Sequence, residues 1–299
     1  MNTDGTPSAP ALPSRRLRIV LWTVAVLLML GSAFYQRLTG PSHHRRITFT
    51  VAGAQARAWL VRSGVTTREA QVRVPAPVDG LEGTLHVRRY PTDEPFEERA
   101  LVRDGDELVG YLPIQPAAGK VEYYVVLHAG AQTVRIPPTD EKPVVLRYKD
   151  PVPLAFLIPH IAFMFFAVLF GIRTGLAALF APQEMRRLAF LTLPLVTVGG
   201  LVLGPIVQKY AFGAFWTGWP YGYDLTDNKV LIMWVVWVLL CVALLLRRPR
   251  REGMRRGLVL AATVVMLVVY LVPHSLRGSE LDYNRLNDGV APKDAIRTG

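Results

Sequence analysis

The chain has 299 residues, of which 51% are hydrophobic and only 19% charged, too apolar for an ordinary soluble protein of one large domain or two smaller ones. Its formal charge of +11 raises nucleic acid as a partner, but the arginines collect at the ends of apolar runs rather than along one face, which argues against nucleic acid and for a membrane. Its single cysteine, Cys241, lies inside an apolar run, so neither an intramolecular disulfide nor a thiolate metal cluster is available.

Residues 1–14, MNTDGTPSAPALPS, are rich in Pro, Ser, Ala and Gly without an apolar period and read as a disordered cytoplasmic tail. Arg15, Arg16 and Arg18 then lead into the apolar run Leu17–Gln36. The following GSAFYQRLTG offers no small-x-small cleavage site, so segment 15–37 is expected to be an uncleaved signal anchor.

Residues 38–150 change character. Short alternating segments (ITFTV, ARAWLV, AQVRVP, TLHVRRY, RALVR, ELVGYL, VEYYVVL, TVRIP and VVLRY) are bounded by turn residues, with hairpin connections expected at Asp104–Asp106 and Ala129–Ala131. So many short strands in about a hundred residues predict a β-sandwich. The stretch GYLPIQPAAGKVEYYVVL (Gly110–Leu127), in which a Gly-led turn enters a strand with paired tyrosines, resembles late strands of fibronectin type III-like and immunoglobulin-like modules. For residues 45–149 that resemblance implies a fold suited to binding or spacing, with no chemistry attached. His86, His128 and Ser63 stand isolated on strands or beside turns, and the basic run His43–Arg46 reads as a linker or a lipid-phosphate contact.

Residues 151–275 carry four further apolar runs, at about 153–172, 188–207, 230–246 and 257–272, near the roughly 20 residues that span a hydrocarbon core. The fold class expected is therefore a five-helix α-helical transmembrane bundle with an all-β extracytoplasmic domain inserted between helices 1 and 2. Arg15, Arg16 and Arg18, then Arg173, Arg186 and Arg187, then Arg247–Arg256 fall on one side if the spans number five. That asymmetry predicts a multi-pass inner-membrane protein with a cytoplasmic N-terminus, residues 38–150 outside, and an outside tail over 276–299. Gly199, Gly200 and Gly204 in the third span suit close helix packing, with a broken helix around a site as the sharper alternative.

The loop FWTGWPYGYDLTDNK (Phe215–Lys229) joins two spans. Its rings, with Trp216, Trp219, Tyr221 and Tyr223 as anchors, suit a membrane–water interface, while Thr226 or Asp227 is placed to cap the fourth span. Asp224 and Asp227 offer more oxygens than a cap needs and are candidate metal ligands, although their spacing is not that of an EF-hand. His160 and His274, each following a proline, sit in or at the end of apolar runs and are candidate ligands for a b-type haem or a metal ion, the alternative being hydrogen bonds to neighbouring helices. Arg277, Glu280 and Asp282 form a charged run that can fold back over the bundle and, on meeting Asp224 and Asp227, make a ligand or proton site.

Nothing in the chain matches a P-loop, zincin helix, nucleophile elbow or dinucleotide fingerprint, so no catalytic residue is assigned. The expected function is a non-catalytic interaction or assembly subunit of an envelope complex, with membrane lipids and other envelope proteins as partners. The alternatives are a redox or metal-binding subunit using His160 and His274, and a small transporter component.

Overall fold

The computed structural model describes residues 13–246, 252–273 and 278–297. The chain divides into two compact units, one of Met1–Leu38, Leu154–Val207 and Thr226–His274, the other of Thr39–Pro153, Gln208–Leu225 and Ser275–Gly299. Most of the tail expected to be disordered, residues 1–12, lies outside the described residues, as do His274, Arg277 and Arg247–Arg251.

Among the described residues, five helical segments are long and apolar enough to cross a membrane: α1 (Arg15–Thr39), α2 (Leu154–Phe180), a composite of α3 (Pro182–Val196) and α4 (Gly204–Phe212), α5 (Leu225–Leu245) and α6 (Glu252–Leu271). The helices outrun the apolar stretches that mark them. Helix α2 continues past Ile172 to Phe180, with Arg173 and Thr174 buried inside the helical unit. Backbone hydrogen bonding sets helix length, whereas hydropathy marks only the apolar centre. The unit's core is built around Met164, Met233, Trp237 and Met266.

Between α3 and α4 the chain makes a π-helical turn over Thr197–Leu203, in which the Gly204 N–H donates to the Gly199 carbonyl. Gly199 and Gly200 are both buried there. A Cβ on Gly199 would lie 3.0 Å from the Phe163 Cβ, and one on Gly200 would lie 2.7 Å from the Val230 Cγ1. Both glycines thus serve close packing, and the helix is locally widened but runs on unbroken from α3 to α4.

The β unit holds a six-stranded sheet in which β3 (Ser63–Val65), β11 (Val144–Lys149), β9 (Lys120–Ala129), β5 (Glu82–Tyr90) and β6 (Glu97–Ala100) follow in order, with β10 (Gln132–Ile136) also on β9. A second sheet orders β4 (Ala70–Pro75), β8 (Glu107–Leu112) and β7 (Val102–Asp104), and β1 (Arg45–Val51) pairs with β2 (Ala54–Leu60). All of these ladders are antiparallel except β3 with β11. Alternation along β9 turns Val121, Tyr123, Val125 and Leu127 into one core shared with β1, β2, β4, β8 and β11, the arrangement of a sandwich. Burying each large apolar side chain contributes about 1.5–3 kcal/mol.

The expected segment RALVR divides at Leu101. Its first part pairs in the large sheet as β6 and its second in the small sheet as β7, while the Leu101 N–H donates to the Gly83 carbonyl at 2.8 Å. The expected turns at Asp104–Asp106 and Ala129–Ala131 connect β7 to β8 and β9 to β10, with Gly105 and Gly130 at positive φ.

Candidate functional site

The polar centre of the β unit is assembled around Arg147. On β11, Leu146 and Tyr148 enter the core and Arg147 faces outward. It is not left in solvent. Its Nη2 donates to the Ser279 carbonyl at 2.5 Å, and its guanidinium lies 4.2 Å from the centre of the Phe212 ring. Burial lowers its pKa, and the charges of Asp224 and Glu280 oppose that shift.

The loop Gln208–Leu225 and the C-terminal segment meet beside this arginine. Gln208 Nε2 donates to Thr217 Oγ1 at 2.7 Å, and Ser279 Oγ lies 3.3 Å from the same hydroxyl. The Ser279 N–H donates to Asp224 Oδ2 at 3.1 Å, while the Asp224 N–H donates to the Thr217 carbonyl at 3.1 Å. Thr217, Asp224 and Ser279 are all buried. Gly278 makes the approach possible, because a Cβ there would sit 2.7 Å from Asp224 Oδ2.

Farther along the segment, Glu280 pairs with Lys120. The Tyr283 hydroxyl accepts the Lys120 N–H at 3.0 Å and donates to the Lys120 carbonyl at 2.7 Å. Arg89 lies over the Tyr283 ring and donates to Asn287 Oδ1 at 3.0 Å. Asp282 accepts the Asn284 and Arg285 N–H groups, which starts the short helix α7 (Tyr283–Asn287), and pairs with Arg297 of β13 (Ile296–Arg297), the partner strand of β12 (Glu280–Leu281). Burial acts to raise the Asp282 pKa, but these hydrogen bonds and Arg297 outweigh it and the net shift is downward.

The structure brings Asp224 to the segment carrying Glu280 and Asp282 through the Ser279 N–H, whereas Asp227, expected beside it, lies inside α5. Of the loop aromatics, Trp219, Tyr221 and Tyr223 are 65%, 78% and 76% exposed, whereas Trp216 is half-buried and donates through Nε1 to the Trp219 carbonyl at 3.0 Å.

In the helical unit, His160 stands one residue beyond Pro159 on α2, and its Nδ1 lies 2.9 Å from the Gly199 carbonyl of the π-helical turn. A carbonyl only accepts, so Nδ1 carries the proton, and Nε2 is the nitrogen that the ring, when neutral, offers as an acceptor. Its proposed co-ligand His274 is outside the described residues. Asp227 and Lys229 are buried in the first turns of α5, where the carboxylate suits the helix N-terminus. Lys229 Nζ donates to the carbonyls of Val272 at 2.6 Å and Pro273 at 3.3 Å, beyond the C-terminus of α6. Since α5 starts at Leu225, Thr226 and Asp227 lie within the helix, and the residue preceding it is Asp224. Among the described residues, no group of three or more His, Cys, Asp or Glu side chains is placed to hold a metal ion.

Sequence reasoning passed over Lys120, Arg147, Tyr283, Thr217 and Lys229. Arg147 carries the outward phase of strand alternation, which marks a solvated residue unless another segment covers it. Lys229 had one signal, a cation immediately inside an apolar helix, where an uncompensated charge is costly.

These features define a class: among the described residues, five long apolar helices with a β-sheet domain between the first and the second. No protein-family model matches the chain, and neither does any curated protein.

Proposed function

We propose that the chain is a multi-pass membrane protein serving as a non-catalytic interaction or assembly subunit, with the β domain and the C-terminal segment outside the cytoplasm and the arginine-rich helix ends inside it. The observation that carries this reading is how the polar groups of the β unit are used. Asp224, Thr217, Ser279 and Arg147 hold the loop and the C-terminal segment to the β domain. Such a network fixes geometry and leaves a rigid platform.

The platform carries exposed apolar side chains, Trp59, Val102, Tyr111 and Ile114, of the kind that anchor protein contacts. The exposed Trp219, Tyr221 and Tyr223 suit the membrane interface. A photo-crosslinking residue placed at Trp59 or Val102 of the full-length protein in its native membrane is expected to give a discrete adduct with one envelope protein. Its absence at both positions, with the protein at normal abundance, would refute the reading.

One observation favours the redox alternative: the Nδ1–H of His160 is fixed on a backbone carbonyl, the arrangement that aims Nε2 at a metal or haem iron. Protein purified in mild detergent tests it through a reduced-minus-oxidised spectrum and metal analysis. A haem band or stoichiometric metal that vanishes in His160→Ala would replace the subunit reading. A metal-free, colourless protein from membranes handled without chelator would end the redox one.

A further inference from the structure

One end of the helical unit is strongly cationic. Antiparallel packing brings it together: Thr263 Oγ1 donates to the Gly171 carbonyl at 3.3 Å, while Gln36 Nε2 donates to the Tyr270 carbonyl at 2.7 Å at the opposite end. The start of α1, the end of α2 and the starts of α3 and α6 therefore share one end. Its described residues include eight arginines against Glu184 and Glu252.

The carboxylates do not neutralise this end. Glu252 serves Arg256 on its own helix, at 2.9 Å. Glu184 alone serves two arginines from different helices, Arg18 with Nε 2.6 Å away and Arg173. Arg173 is 1% exposed, and its Nε and Nη1 have no hydrogen-bond partner among the described residues. The Arg18–Glu184 contact also sets the first turn of α1 beside that of α3. Arg15 lies three residues before Arg18 and Arg187 three after Glu184, the spacing of neighbours on one helix face, so both flank the pair. Both are exposed.

We propose that the Arg15–Arg18 turn of α1 and the Glu184–Arg187 turn of α3 form a seat for the phosphate of an acidic phospholipid. Arg15 and Arg187 hold the phosphate, and the Arg18–Glu184–Arg173 group ties the two turns to each other and to α2. The lipid is favoured over a soluble phosphate because the cationic turn of α1 runs directly into an exposed apolar flank. Ile19, Val20 and Leu27 are 56%, 54% and 63% exposed and offer a surface for acyl chains that inorganic phosphate does not use. The proposal needs the helices to cross a membrane but is independent of the subunit reading, so a failed crosslink leaves it intact.

The test uses the full-length protein in detergent, with phosphatidylglycerol and phosphatidylcholine added in equal amounts and bound lipid read by native mass spectrometry. Retention of phosphatidylglycerol over phosphatidylcholine is expected. In Arg15→Gln/Arg187→Gln it should fall about 30-fold, from roughly fivefold for each arginine near a lipid surface. Arg256→Gln, at the same end but paired with Glu252, should retain the lipid. Both substituted arginines are exposed, and an unchanged size-exclusion profile verifies the fold. Equal retention of the two lipids, wild-type retention in the double variant, or complete displacement by inorganic phosphate overturns the proposal.

Discussion

Replacing Tyr283 by Phe probes the docking of the C-terminal segment with the least disturbance. The ring and its contact with Arg89 remain, and only the hydroxyl is lost. That hydroxyl serves both the N–H and the carbonyl of Lys120. Each buried backbone group left without a partner costs about 1–3 kcal/mol, but Lys120 is half-buried and water can partly replace the hydroxyl, which sets the estimate at about 2 kcal/mol for the two together. At 1.4 kcal/mol per factor of ten, that is a roughly 30-fold increase in the undocked population of residues 278–297. Hydrogen exchange reads it directly: the amides of Leu281 and Ser279, bonded across the junction to the Ala118 carbonyl and to Asp224 Oδ2, should exchange about 30-fold faster, whereas those in the middle of β9 and β5 should be unchanged. Equal acceleration throughout the β unit, or none, would refute the idea that the hydroxyl latches a separable segment.

Further tests address the charges, the close approach and pH. Glu184→Gln leaves the buried Arg173 without its carboxylate and should cost about 3–5 kcal/mol in thermal or denaturant unfolding, while Arg173→Met combined with Glu184→Met should recover most of it. Gly278→Ala should cost about 1–3 kcal/mol because Asp224, held by the Ser279 N–H, stands where the new methyl must go; exchange at Ser279 should rise with it. Burial raises the pKa of Tyr283 and Tyr123 and pushes Tyr148 up to about 12. The unfolded chain releases these protons near pH 10, so the folded state binds more protons above that value. Stability from these tyrosines is complete below about pH 10 and is lost as pH climbs toward and past the raised folded values. A melting temperature of the β unit that stays flat to pH 12 contradicts that assignment.

The long helices and the β region were legible because each depends on a pattern repeated over many residues. An apolar run near 20 residues needs only composition, and Val121, Tyr123, Val125 and Leu127 announce a half-buried strand by alternation alone. Single-residue events were not legible in the same way. Strand β3 has three residues and pairs in parallel, so its sequence carries no period. Leu101 moves the chain between sheets, yet inside RALVR it resembles any other apolar position.

The site shows the same limit. Asp224 and the segment after residue 277 each stood out as polar groups beside apolar runs, but whether they meet is decided by long-range packing over 55 residues of separation. Arg147 shows why residue type and phase were insufficient there: alternation correctly put it outside the sandwich core, and only the arrival of Ser279 and Phe212 made that outward position a buried one. In a chain whose loops fold back on the domain they connect, the outward face of a strand is a solvent face only until the last segment docks. The polar residues to examine first are therefore those, like Arg147 and Lys120, that pair with segments distant in sequence.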